Sequence, residues 1–241
     1  MIVKILENYM ELSKIAASMV AGEIKRDDKL VLGLATGSTP EGMYAELIRK
    51  FKAGEVDFTD VTTFNLDEYA SLAPDHPQSY HFFMNKHLFD HINIKPENIN
   101  IPDGCSSDLD HECYEYDLRI EEAGGIGLQI LGIGTNGHIG FNEPAEMLCV
   151  HTHLVDLSAE TIKVNSRFFE SFDQVPRKAV TMGMGTIMHA EKIVLLASGK
   201  SKAAAIRQTV SGGLTTAFPA SLLQLHKNVT VLLDREAASL I

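Results

Sequence analysis

Leu30-Val31-Leu32-Gly33-Leu34-Ala35-Thr36-Gly37-Ser38-Thr39-Pro40-Glu41 reads as a strand that ends in a tight turn and runs straight into a helix. The run from Leu30 to Ala35 is apolar without alternation, the pattern of a strand buried on both faces in a parallel sheet covered by helices. Gly37 permits the turn, and Pro40 suits the first helical turn, where a missing N–H costs nothing. Upstream, Met10, Leu12, Ile15, Ala16, Val20 and Ile24 recur at helical intervals across residues 9–26. Downstream, short apolar runs at Val61–Leu66, Leu128–Ile133, Ala179–Met182, Ile193–Ala197 and Val229–Leu233 read as strands, separated by helical stretches near 41–53, 78–90, 107–123, 158–172 and 200–211. The alternation predicts an α/β fold with an open, mostly parallel sheet and helices on both faces, Rossmann-like in layout. No linker, repeat or compositional break divides residues 1–241, so a single domain is expected. In such a sheet ligands bind at the carboxyl ends of the strands, and the residues just after each strand are the ones to search.

Composition narrows the classes of function. The 241 residues are 45% apolar and 22% charged, enough for a globular core. No run of some 18 apolar residues is present, so no membrane span is expected. With 32 acids against 21 bases, the formal charge of −11 argues against nucleic-acid binding. The start, MIVKILENYMELSKIAAS, has no basic region, continuous apolar stretch or small-residue cleavage site, so export is not expected. Cys105, Cys113 and Cys149 form no CxxC and suit a reducing cytoplasm better than disulfides or structural zinc. His87 with His91, and His151 with His153, lack an evident third ligand, so no metal is expected.

Three segments carry chemistry. The turn at Thr36-Gly37-Ser38-Thr39 offers hydroxyls and a helix start, whose unpaired amides and positive dipole end suit a phosphate; the alternative is an ordinary helix cap. It is not a P-loop, because no Gly-Lys-Ser/Thr follows at the required interval. Phe64-Asn65-Leu66-Asp67-Glu68-Tyr69 puts Asp67 at the carboxyl end of an apolar strand. A carboxylate desolvated there can move a proton between carbons next to a carbonyl, or else simply cap a helix. Leu131-Gly132-Ile133-Gly134-Thr135-Asn136-Gly137-His138-Ile139-Gly140-Phe141-Asn142-Glu143-Pro144 contains a formal GxGxxG at Gly132, Gly134 and Gly137. Gly140 and Pro144 interrupt any helix the motif would open, so the site is not expected to bind a dinucleotide. The segment reads as a rigid loop in which Asn136 and Glu143 can orient the His138 imidazole as a proton shuttle, or as the surroundings of a structural histidine. Arg167 and Lys200, in two further polar stretches, are candidate cations for an anionic substrate in so acidic a chain, or solvated surface charges.

Together, the segments at 34–40, 64–69 and 132–144, with Asn165-Ser166-Arg167-Phe168-Phe169, resemble the glucosamine-6-phosphate deaminase family over nearly the whole chain. The resemblance implies conversion of glucosamine 6-phosphate and water to fructose 6-phosphate and ammonia, with no cofactor and a small sugar phosphate as the only partner. It implies that Asp67 moves the proton between C2 and C1 through a cis-enolamine. His138, tuned by Glu143 and Asn136, opens the ring. The phosphate goes to Gly37, Ser38, Thr39, Arg167 and Lys200. Some relatives carry aspartate where this chain has Asn136, which removes one charge beside His138. The hexameric, allosteric branch has a basic pair where this chain has His153-Leu154-Val155, and a longer tail than one ending at Ile241. The resemblance therefore implies a monomer without activation by N-acetylglucosamine 6-phosphate, and a lid around 158–175 carrying Arg167. The alternative within the same superfamily is a 6-phosphogluconolactonase, which needs an anion site and a histidine but no base at C2.

Overall fold

A computed structural model describes residues 1–158, 161, 162, 166, 169 and 171–241. In chain order its strands and helices are β1 (Ile2–Leu6), α1 (Tyr9–Arg26), β2 (Val31–Leu34), α2 (Ser38–Lys52), β3 (Thr62–Asn65), β4 (Asp67–Tyr69), α3 (Tyr80–His87), β5 (Ile99–Asn100), α4 (Leu109–Glu122), β6 (Leu128–Leu131), β7 (His153–Asp156), β8 (Lys178–Thr181), α5 (Met184–Met188), β9 (Lys192–Ala197), α6 (Ala203–Ser211) and β10 (Val229–Asp234). Local capping sets several boundaries. The side chains of Asn8, Ser79 and Asp108 accept the N–H of Glu11, Phe82 and His111 at the starts of α1, α3 and α4.

Seven strands form a parallel sheet in the order β1-β10-β9-β6-β2-β3-β5. The strand residues alternate between two cores, as the two-residue period requires. Leu32, Leu34, Leu128, Ile130, Val194, Leu196 and Leu232 face one core with α1, α2 and Met84 of α3. Val31, Phe64, Leu131, Ile193, Leu195, Val231 and Leu233 face the other with Tyr116 and Ile120 of α4, Ile187 of α5 and Ile206 of α6. Helices thus cover both faces, as expected. Chain order reverses between β2 and β6: β3 and β5 extend the sheet one way, β9 and β10 the other. That switch point leaves a crevice where the loops leaving β2 and β6 diverge.

The strand assignments need correction in two respects. Ala179–Met182 belongs, as β8, to a separate antiparallel sheet of order β4-β8-β7, not to the parallel one. An apolar run looks the same in either sheet, so only its partners distinguish them. The parallel sheet also gains its two edge strands, the exposed β1 and the short, partly buried β5, which lack the buried pattern used to find strands. Leu66 joins the two sheets: its N–H donates to the Leu34 carbonyl, and its own carbonyl accepts the Met182 N–H. The residue after this hinge is Asp67. Most of the helix expected over 158–172 lies outside the described residues.

Candidate active site

A cavity of about 450 Å³ opens at the switch point. Its wall includes Thr36, Gly37, Ser38 and Thr39 from the loop after β2, Asp67 from β4, and Asn136, His138 and Glu143 from the loop after β6. The segments singled out in the sequence therefore meet in one place.

The β2–α2 turn is built to leave donors open. Gly37 has φ of 96°, a backbone region that favours glycine, and it caps α2 without a side-chain hydrogen bond. Tyr9 of α1 braces the helix start, donating its hydroxyl to the Ser38 and Thr39 carbonyls and accepting the Gly42 N–H. Backbone donors of the first turn can thus meet an anion, aided by the helix dipole.

Asp67 is 6% exposed and pairs with Thr181 in the antiparallel sheet. Burial, reinforced by the charge of Glu68, raises its carboxyl to about 8. No hydrogen bond reaches that carboxyl from the described residues, so it keeps its basicity for whatever enters. Thr181 also draws in the other catalytic candidate, since its Oγ1 accepts the Phe141 N–H (3.1 Å). Gly140, at φ of 58°, then passes so close that a Cβ there would lie 3.3 Å from Asp67 Oδ2.

The loop after β6 contains no helix, which removes the main structural requirement of the formal GxGxxG. Its own contacts hold it. Gly134 N–H donates to the His138 carbonyl, Asn136 Oδ1 accepts the His138 N–H (3.2 Å), and Ala220 N–H donates to the Gly137 carbonyl. His138 Nδ1 stands 3.4 Å from Glu143 Oε2, which also accepts from Asn136 Nδ2 (2.7 Å). Glu143 Oε1 accepts the Thr161 hydroxyl (3.1 Å). Burial pushes the Glu143 carboxyl up, but the His138 ring and the two hydrogen bonds outweigh it and hold it below its usual range. The ionised Glu143 therefore faces the imidazole, where a carboxylate stabilises positive charge as it develops on a ring that accepts a proton.

The cations fall differently from the expectation. Lys200 is exposed and lies off the cavity wall, while Lys202, two residues on, lines it. A 3-10 turn over Lys200–Lys202 separates the two directions. Lys202 is half-buried and donates to the Ile133 carbonyl (2.7 Å), and burial lowers its ammonium from the ordinary lysine value. Asp234 fixes the approach to this turn by accepting from the Ser198 hydroxyl and the Gly199 N–H. The visible sequence signal for Lys202 was a strand end followed by Gly199-Lys200-Ser201-Lys202, which does not say which lysine turns inward. Tyr80, whose hydroxyl bonds to Thr36, also lines the cavity and was not singled out. Arg167 lies outside the described residues.

Residues 7–232 match the family model for glucosamine-6-phosphate isomerases and 6-phosphogluconolactonase. The chain belongs to that family. Within it, the glucosamine-6-phosphate deaminase of Thermoanaerobacter sp. (strain X514) is 61% identical over 234 residues, covering 97% of this chain and 92% of that protein. The corresponding protein of Halothermothrix orenii is 59% identical over 239 residues, covering 99% of each. A solved monomeric glucosamine-6-phosphate deaminase superposes with a TM-score of 0.96 at 51% identity, covering all of both chains. The 6-phosphogluconolactonase of Trypanosoma cruzi shares the fold, with a TM-score of 0.77 at 20% identity over 99% of this chain and 96% of that one.

Proposed function

We propose that this family member is a glucosamine-6-phosphate deaminase, converting glucosamine 6-phosphate and water to fructose 6-phosphate and ammonia. The observation that carries this reading is the convergence of Asp67, the His138–Glu143 pair and the first turn of α2 on one cavity. The sugar phosphate group sits on the donors of Gly37, Ser38 and Thr39. Lys202 takes the cationic place expected of Lys200, and Arg167 is retained as a second cation on the resemblance alone.

His138 removes the proton of the anomeric hydroxyl and returns one to the ring oxygen, so the C1–O5 bond breaks and the open-chain aldehyde forms. Glu143 faces the imidazolium formed midway, while Asn136 holds Glu143 in place. Asp67 then removes the proton at C2, giving a cis-enolamine, and delivers a proton to C1. The resulting imine at C2 takes up water and releases ammonia. With no substrate bound, Asp67 holds its proton near neutrality. A cationic amino group at C2 would lower its proton affinity, so binding itself readies the base.

A base beside C2 is what separates this reaction from hydrolysis of a lactone, which needs only a histidine and an anion site. We also propose a monomer, supported by the family resemblance and by the neighbouring monomeric deaminase, and no activation by N-acetylglucosamine 6-phosphate, which rests on the family resemblance. Among the described residues no helix is long and apolar enough to cross a membrane. The test is ammonia release by purified protein from glucosamine 6-phosphate, with and without the acetylated sugar phosphate. Equimolar ammonia and fructose 6-phosphate, unchanged by the acetylated compound, support the proposal. Hydrolysis of 6-phosphogluconolactone without ammonia release contradicts it.

A further inference from the structure

We infer that His81 is a positioning residue for the reaction: acting through Glu68, it sets how much negative charge stands behind Asp67. The inference rests on Asp67 being the base. Asp67 and Glu68 are consecutive in β4, so their side chains leave opposite faces of the strand. One enters the cavity; the other turns toward the start of α3. Glu68 is 1% exposed and accepts four hydrogen bonds there. Tyr69 N–H (2.8 Å) and Tyr80 N–H (2.9 Å) reach Oε1, while His81 N–H (3.0 Å) and His81 Nδ1 (2.8 Å) reach Oε2.

A carboxylate only accepts, so the His81 ring proton belongs on Nδ1. Of the four donors, the ring alone can gain or lose charge. Its side chain is 27% exposed and can exchange protons with solvent. Among the described residues, no lysine or arginine pairs with Glu68 or Asp67. Among the described residues, the other titratable groups around the two carboxyls include the phenols of Tyr80 on α3 and Tyr116 on α4 and the Cys105 thiol beyond β5, with the Tyr69 phenol of β4 bonded to Tyr80. Tyr80, Tyr116 and Cys105 are held neutral, their acidity suppressed chiefly by burial. Glu68 charge is the second cause, after burial, of the high proton affinity of Asp67. A donor or cation on Glu68 therefore makes Asp67 easier to ionise, and loss of that partner makes it harder.

The test is the pH profile of kcat/KM for ammonia release in the wild type, His81→Phe and His81→Lys. Every variant keeps the backbone N–H that holds α3 to Glu68. His81→Phe removes the ring donor and should move the acid limb up by about half a pH unit or more. His81→Lys supplies a fixed positive charge and should move it down by a similar amount. A purely structural role would lower activity at all pH values and leave the limb in place. Superimposable limbs, or shifts in the same direction in both variants, overturn the inference. Failure of the underlying reading is distinct: Asp67→Asn would then keep wild-type turnover, whatever His81 does.

Discussion

Replacing Asp67 by Asn should stabilise the fold in alkaline solution while removing the proposed base. The carboxyl is 6% exposed and titrates at about 8, against about 4 in an unfolded chain. The folded state thus holds the proton more tightly than the unfolded state. Stability from this group is complete below about pH 4, declines as pH rises from about 4 to 8, and stays low above that. If the charge were wholly unsolvated, the alkaline cost would reach about 6 kcal/mol. Because Asp67 lines an open cavity, the charge is only partly desolvated, leaving about 2–3 kcal/mol to be recovered by a neutral amide of the same shape. For a domain of this size that is a rise in Tm of about 5–10 °C at pH 9, shrinking toward nothing at pH 4. Paired thermal or urea unfolding of the two proteins across this range measures it. An Asn variant no more stable than wild type at pH 9, or equally stabilised at both ends, would refute the argument that a desolvated charge is stored at this position.

The remaining predictions follow from the cavity wall. His138→Gln should lower kcat by about 10²–10⁴ with KM little changed, since it removes a proton shuttle and not a binding group; steady-state kinetics of ammonia release decide this. Lys202→Ala should raise KM about 10–100-fold, as expected for one lost charge-assisted hydrogen bond, while Lys200→Ala changes it less than about threefold; equal effects would mean that the turn points both lysines inward. Gly137→Ala should cost roughly 1–3 kcal/mol in urea unfolding. Its φ of 85° disfavours a side chain, and a Cβ there would fall 2.3 Å from the Phe218 ring.

Much of the parallel sheet was legible because its strands are buried on both faces and read as unbroken apolar runs. The anion turn, Asp67 and the glycine-rich loop were legible because each follows such a run, where a parallel sheet puts its ligands. The small antiparallel sheet was not. Leu66 is one apolar residue among several, and nothing local marks it as the hinge where the chain leaves one sheet for another. That hinge gives Asp67 both its burial and its place beside Gly140. The exposed edge strand β1 carried no burial signal at all. Lys202 was missed because a single 3-10 turn decides which of two near neighbours faces inward. The Glu68–His81 contact was equally hidden, because it joins a strand to a helix start 13 residues on.

Hydrogen transfer at C2 tests the central claim most directly. Glucosamine 6-phosphate labelled with deuterium at C2 is turned over by wild type and by Asp67→Asn, and the sugar products are analysed by NMR and mass spectrometry. Wild type should release ammonia with loss of the label from C2 and arrival of part of it at C1, and the variant should leave labelled substrate intact. Ammonia released with deuterium still at C2, or label moved by the variant at the wild-type rate, would contradict the assignment of Asp67 as the base.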